Sequence, residues 1–144
     1  MITILLQLST QYNLCDAVIR FSTRSEYSHV DFVMPNGDLL GAHPFKGVSR
    51  RAPGPVARRL LLTSDAPARV LDIAEGELGK PYDYTAVFAQ ILFGRDWQRP
   101  DSWFCSELVA YCFEKAGAPL FPPDVRFSRI TPRDLLLSAR LVRV

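Results

Sequence analysis

The stretch Trp103–Val109, WFCSELV in one-letter code, decides how this chain folds and where its chemistry lies. Aromatic residues lead into a cysteine, and the residues after Cys105 have the apolar spacing of a buried helix. We therefore predict a helix from Cys105 to about Ala116, ended by Gly117. A thiol at a helix N-terminus meets partial positive charge and free backbone N–H groups, which favour a reactive thiolate.

The second chemical feature is His29, which lies far upstream in a stretch of alternating apolar and polar residues. The alternation predicts a strand over residues 28–34, and the Pro35–Asp38 turn predicts that residues 39–43 return as its hairpin partner. An imidazole beside a thiol accepts its proton, so Cys105 and His29 are a candidate nucleophile and general base. Each residue alone is more typical of packing, whereas the combination favours catalysis.

The rest of the chain predicts short strands and helices around these two features. Strands are predicted over 2–8, 46–50, 57–63 and 140–144, and helices over about 14–22, from about Asp65 to Gly79, over a short segment ending at Gly94, and as one turn starting at Thr131. The fold class is therefore α+β, a small antiparallel sheet packed on helices. We expect one domain spanning residues 1–144.

Composition narrows the class of protein. The 17 basic and 15 acidic residues nearly balance and the basic ones are scattered, so no nucleic-acid partner is expected. Three cysteines and two histidines occur, with no pair at metal-ligand spacing, so neither a disulfide framework nor a metal site is expected. No stretch reaches transmembrane length, and we expect a cytoplasmic protein with reduced thiols.

These motifs together resemble a known family, the circularly permuted branch of the NlpC-type, papain-like cysteine peptidases and amidases. The lecithin retinol acyltransferase-like proteins belong to the same broader group. The resemblance covers about residues 13–138 and is carried by three motifs: Ser28–Val30, Gly79–Tyr84 and Phe104–Val109. In this branch the histidine strand precedes the cysteine helix. The resemblance implies a permuted papain-like fold with Cys105 as nucleophile and His29 as base.

A third residue, orienting the imidazole, has two candidates. The family usually carries a polar residue on the strand after the histidine, and in our register that position is Gly41, which has no side chain. His43 shares a strand face with Gly41 and is the first candidate to replace it, although an exposed loop histidine is an equally typical role. Asp31 shares a face with His29 and is the second candidate, but we expect it to meet solvent or a backbone donor.

The leading interpretation is a cysteine hydrolase, or thiol protease, that cleaves an amide bond in a peptide-like or acyl-amide substrate without a metal or organic cofactor. Tyr27 and Trp103 flank the predicted pair and are candidate substrate-binding residues. Alternatives are an acyltransferase with the same chemistry, a catalytically idle binding domain on the same fold, and a redox-sensing thiol. The last requires a resolving cysteine, and Cys112 lies roughly 10 Å along the helix from Cys105, too far for a disulfide.

Overall fold

The structure, a computed structural model, describes residues 1–8, 27–43, 46–53, 57–81, 105–125 and 130–142. These ranges contain strands β1 (Ile2–Leu8), β2 (Tyr27–Val33), β3 (Leu39–His43), β4 (Gly47–Arg51) and β5 (Ala57–Leu62), helices α1 (Pro67–Gly76) and α2 (Cys105–Lys115), and a 3-10 helix (Pro132–Leu137).

The five strands form one sheet in the order β4-β3-β2-β1-β5, and every neighbouring pair is antiparallel. Strand β2 therefore lies in the middle of the sheet, with His29 opposite Gln7 of β1 and Phe32 opposite Leu40 of β3. The predicted α+β class with a small antiparallel sheet is confirmed. A central strand is the best-supported position for a side chain that must be held in one geometry.

The turn between β2 and β3 sets the register that matters for the site. Met34 N–H donates to the Asp38 carbonyl at 2.8 Å, and Gly37 takes a φ of 91°, a left-handed conformation that favours glycine. The observed pairing of Phe32 with Leu40, continued along the hairpin, brings Asp31 opposite Gly41 and His29 opposite His43. The short turn thus decides which residues of β3 lie beside the two polar residues of β2.

Helix α2 packs against β2 and β3 and closes the apolar core. Its Phe113 ring stacks on Phe32 with ring centroids 6.4 Å apart, and Leu108 is fully buried in the same cluster. Burial of side chains of this size contributes about 2 kcal/mol each. Val30 and Phe32 of β2 belong to this core, while His29 and Asp31 occupy the alternate positions of the strand.

Predicted and observed boundaries agree closely for most strands and for α2, and differ in two places. Helix α1 ends at Gly76 rather than Gly79, because the chain then tightens into i→i−3 turns and the Gly79 N–H donates to Val48 of β4 at 2.9 Å. Within 140–142, the described part of the last predicted strand, there is a single bridge between Leu141 and Leu62. The helices predicted over 14–22 and before Gly94 lie outside the described residues.

The first turn of α2 is tied to the C-terminal segment. The Ser106 hydroxyl donates to the Ile130 carbonyl, and a capping box between Thr131 and Asp134 starts the 3-10 helix where one helical turn is predicted. These bonds hold the end of α2 that carries Cys105. No helix in the described parts of the chain combines the length and apolar content needed to cross a membrane.

Candidate active site

Cys105 and His29, the pair predicted from the sequence, lie beside each other in the structure. Cys105 is the first residue of α2, and its thiol lies close enough to the imidazole of His29 on β2 to raise the pKa of that ring. The contact follows from the docking of α2 on β2 through the stacked rings of Phe32 and Phe113. The thiol is buried, with only 1% of the residue exposed, so a reagent reaches it only when the surrounding structure opens locally.

Asp31 is the residue that holds His29. Its carboxylate is fully buried, and Oδ1 lies 2.9 Å from His29 Nε2 while Oδ2 accepts a 2.7 Å bond from Arg51 Nη2. The expectation that Asp31 meets solvent is therefore wrong. Because Asp31 and not His43 hydrogen-bonds the imidazole, the geometry reverses the order of the two orienting candidates.

His43 lies beside this pair rather than in line with it. Its ring centroid is 4.3 Å from that of His29, and its Nε2 is 3.1 Å from Asp31 Oδ1. This close approach is an ion-pair contact, and among the described residues the buried Nε2 has no hydrogen-bond partner. His43 is thus a largely buried member of the site, and the exposed loop role considered from the sequence is excluded.

Gly41 explains how Asp31 reaches this position. A Cβ atom added at Gly41 would lie 2.1 Å from Asp31 Oδ1 and 3.1 Å from the Val30 carbonyl oxygen. The carboxylate therefore occupies the space that any side chain at position 41 would fill. The family resemblance assigns a polar residue to position 41. In this protein a carboxylate oxygen of Asp31, on the neighbouring strand, lies in that space instead.

The charged groups of the site shift one another's pKa values. Burial lowers the pKa of His29, but the adjacent Asp31 carboxylate and the Cys105 contact raise it by more, so it lies above the ordinary value of 6.5. Burial raises the pKa of Asp31, yet the facing His29 imidazole and His43 lower it well below its ordinary value. Burial lowers the pKa of His43; the adjacent Asp31 carboxylate opposes this shift, and the nearby positive charges of His29 and Arg51 add to it.

The remaining predicted residues are less informative. Tyr27 is the first residue of β2 and pairs with Leu8, while Trp103 and Cys15 lie outside the described residues, so substrate binding by Tyr27 and Trp103 stays a prediction. Cys112 is fully buried inside α2, where burial and the negative charge of Glu77 raise the pKa of its thiol. Cys112 therefore has the character of a packing residue of the core.

The two cysteines of α2 should differ in reactivity. With iodoacetamide at about pH 7, we expect Cys105 to be alkylated about tenfold faster than Cys112, because only Cys105 adjoins an imidazole at a helix N-terminus. Mass spectrometry of peptides from brief labelling measures both rates in one sample. Since both thiols are buried, equal rates would mean that local opening alone controls labelling and that His29 does not activate Cys105.

Three potential metal-ligand atoms also converge at this site. One ligand atom each from His29, Asp31 and His43 lies within 4.8 Å of the other two. The spacing of cysteines and histidines along the chain predicts no metal site, because these three residues come together only in the folded sheet. The sequence does contain a signal for this cluster: His29 and Asp31 lie on the same face of one strand, and the hairpin register places His43 opposite His29. Only the pairing of the two strands brings the three residues together.

Comparison with known proteins finds a structural likeness only. No family profile and no curated protein sequence matches the chain. Among solved structures, the protein is similar to the metalloprotein yiiX of Escherichia coli O157:H7, with a TM-score of 0.66 and 19% sequence identity, over 99% of this chain and 94% of that chain. The likeness extends along nearly the whole of both chains and supports the α+β fold.

Proposed function

We propose that this protein is a cysteine hydrolase that cleaves an amide bond in a peptide-like or acyl-amide substrate. One observation carries the proposal: a thiol at the start of a helix lies beside an imidazole that a buried carboxylate holds by a hydrogen bond. This is the arrangement of nucleophile, base and orienting group that acyl transfer requires. The roles are Cys105 as nucleophile, His29 as base and Asp31 as the positioning residue.

The tautomer of His29 follows from its partners. Because Nε2 faces the Asp31 carboxylate, the neutral ring carries its proton on Nε2 and leaves Nδ1 for the thiol. Asp31 in turn is kept ionised by His29 and His43, which lower its pKa, and is held in place by Arg51, whose guanidinium binds the second carboxylate oxygen. The raised pKa of His29 favours the imidazolium that forms when the ring accepts the Cys105 proton.

The reaction then has two halves. The Cys105 proton passes to His29, the sulfur attacks the acyl carbon, and the imidazolium protonates the departing amine to leave an acyl-enzyme. Water, deprotonated by His29, attacks the thioester and releases the carboxylic acid and the free thiol. Backbone N–H groups at the start of α2 have no partner within the helix, and that of Cys105 is a candidate donor to the oxyanion.

The proposal extends to the fold family and the cellular location. The order of elements, with the histidine strand β2 before the cysteine helix α2, is consistent with a circularly permuted NlpC-type, papain-like fold. Cys105 and Cys112 are free thiols, which supports a reducing compartment, the cytoplasm. If an amine or lipid acceptor replaces water in the second half-reaction, the same site works as an acyltransferase.

The test uses p-nitrophenyl acetate as an acyl donor. The wild-type protein should release a stoichiometric burst of p-nitrophenol and carry an acetyl group on Cys105, located by mass spectrometry. Cys105→Ser should abolish the burst, and His29→Gln should slow it by about 100-fold or more, since general base catalysis contributes that much. Cys112→Ser is the matched control, because that thiol lies on the same helix without an imidazole partner, and it should leave the burst unchanged.

Two outcomes would go against the proposal. Acetylation of Cys105 and Cys112 at the same slow rate would favour a catalytically idle binding domain on this fold. A burst that is not slowed in His29→Gln would mean that the reactivity of the thiol does not depend on the imidazole. Product analysis with N-acetyl p-nitroanilides then identifies the amide substrates, and an added amine acceptor distinguishes transfer from hydrolysis.

A further inference from the structure

We propose that His29, Asp31 and His43 bind one divalent transition-metal ion such as Zn²⁺. This proposal goes beyond the hydrolase. Acyl transfer uses these atoms only to orient the His29 ring, whereas here they bind a metal ion. Three observations carry it. Three donor atoms converge, the Nε2 of His43 makes no hydrogen bond to any described residue, and Arg51 binds the other oxygen of the Asp31 carboxylate.

The donor atoms have the spacing of metal ligands. The two imidazole Nε2 atoms lie 2.9 Å and 3.1 Å from the same carboxylate oxygen, Asp31 Oδ1. Ligands bound at about 2.0–2.2 Å in tetrahedral geometry are separated by slightly more than this, so a small expansion admits an ion. Two imidazoles and one carboxylate are a donor set that suits zinc and other late first-row metals.

His43 is the residue that the hydrogen-bonded arrangement does not explain. Its Nε2 is buried 3.1 Å from Asp31 Oδ1, and it makes no hydrogen bond to any described residue. A buried polar atom without a hydrogen bond is costly, by about 1–3 kcal/mol. A lone pair on this nitrogen directed at a shared metal ion removes that cost.

Surrounding groups hold the donors in place. Arg51 binds Asp31 Oδ2, which leaves Oδ1 as the ligand atom, and Gly41 leaves room for the carboxylate between the two rings. Outer partners of this kind orient ligands and are worth about 10–100-fold in metal affinity. His29 Nε2 cannot donate to Asp31 while it binds a metal ion, so the metal-bound and hydrogen-bonded arrangements exclude each other.

Metal binding is tested on the full chain, stripped with a chelator, by titration with Zn²⁺ against a chromogenic chelator. We expect one equivalent of Zn²⁺ per chain, and a loss of affinity of about 100-fold or more in His43→Gln. Cys105→Ser is the matched control and should bind Zn²⁺ within about twofold of wild type, because the thiol is outside the ligand group. This control cannot form the acyl-enzyme, so the metal site and the proposed hydrolase can fail separately.

Co²⁺ supplies a second, spectroscopic readout. Visible absorption bands of Co²⁺ bound by nitrogen and oxygen should appear in wild type and in Cys105→Ser, and should be lost in His43→Gln. Equal Zn²⁺ affinity of wild type and a folded His43→Gln protein would overturn the inference. A sulfur-to-cobalt charge-transfer band that disappears in Cys105→Ser would also overturn it, because the thiol would then be a ligand.

Discussion

Asp31→Asn should lower the free energy of unfolding by about 3 kcal/mol, the lower end of the range for breaking a buried ion pair. The Asp31 carboxylate is fully buried and contacts His29, His43 and Arg51, so an amide in its place leaves Arg51 without its anion. Arg51 is about one-third exposed, and water screens part of this cost. Urea denaturation followed by circular dichroism measures the change.

The matched control for Asp31→Asn is Glu75→Gln. Glu75 also pairs with an arginine of β4, Arg50, but both side chains are more than one-third exposed. An exposed ion pair contributes about 1 kcal/mol or less, so the control should change stability little. Equal effects of the two substitutions would mean that the Asp31 cluster has no special role in folding.

The pH dependence of stability should carry the same information. The folded-state pKa of Asp31 is lowered by the facing His29, so its stabilisation is present above the ordinary value of 3.8 and is lost as pH falls through the folded pKa. The folded-state pKa of His29 is raised, so its stabilisation is present below 6.5 and is lost as pH rises. The difference between wild type and Asp31→Asn should therefore be largest between these two values and shrink under acid conditions.

Gly41→Ala should disable the site with one added methyl group. The new Cβ would lie 2.1 Å from Asp31 Oδ1 and 3.1 Å from the Val30 carbonyl oxygen, so the carboxylate must leave its place beside the imidazoles. Overpacking of this kind costs about 1–3 kcal/mol of stability. Since His29 then loses its orienting partner, we expect alkylation of Cys105 to slow by about tenfold or more, measured by mass spectrometry.

Gly76→Ala is the control for the glycine substitution. Gly76 is the last residue of α1, and a Cβ there meets nothing within 4 Å. Replacing a helical glycine by alanine is neutral or stabilises by up to about 1 kcal/mol. If Gly41→Ala leaves Cys105 reactivity and stability as unchanged as Gly76→Ala, the carboxylate does not depend on the space at position 41.

Much of the fold was predictable because it depends on signals between residues near one another in the chain. The alternation before Pro35 and the turn at Gly37 define the β2–β3 hairpin, and the apolar spacing after Cys105 defines α2. The end of α1 was not predictable, since the chain leaves the helix at Gly76 to make backbone bonds from Gly79 to Val48 of a distant strand.

The sequence by itself determined the hairpin, the start of α2 and the two residues that the site brings into contact, Cys105 and His29. Tertiary structure alone decided how the imidazole is held. Asp31 reaches His29 because the residue opposite it across the hairpin, Gly41, has no side chain, and Arg51 reaches Asp31 from β4, two strands away. The periodicity of one strand specifies the face on which a side chain lies, but strand pairing specifies what occupies the space in front of it.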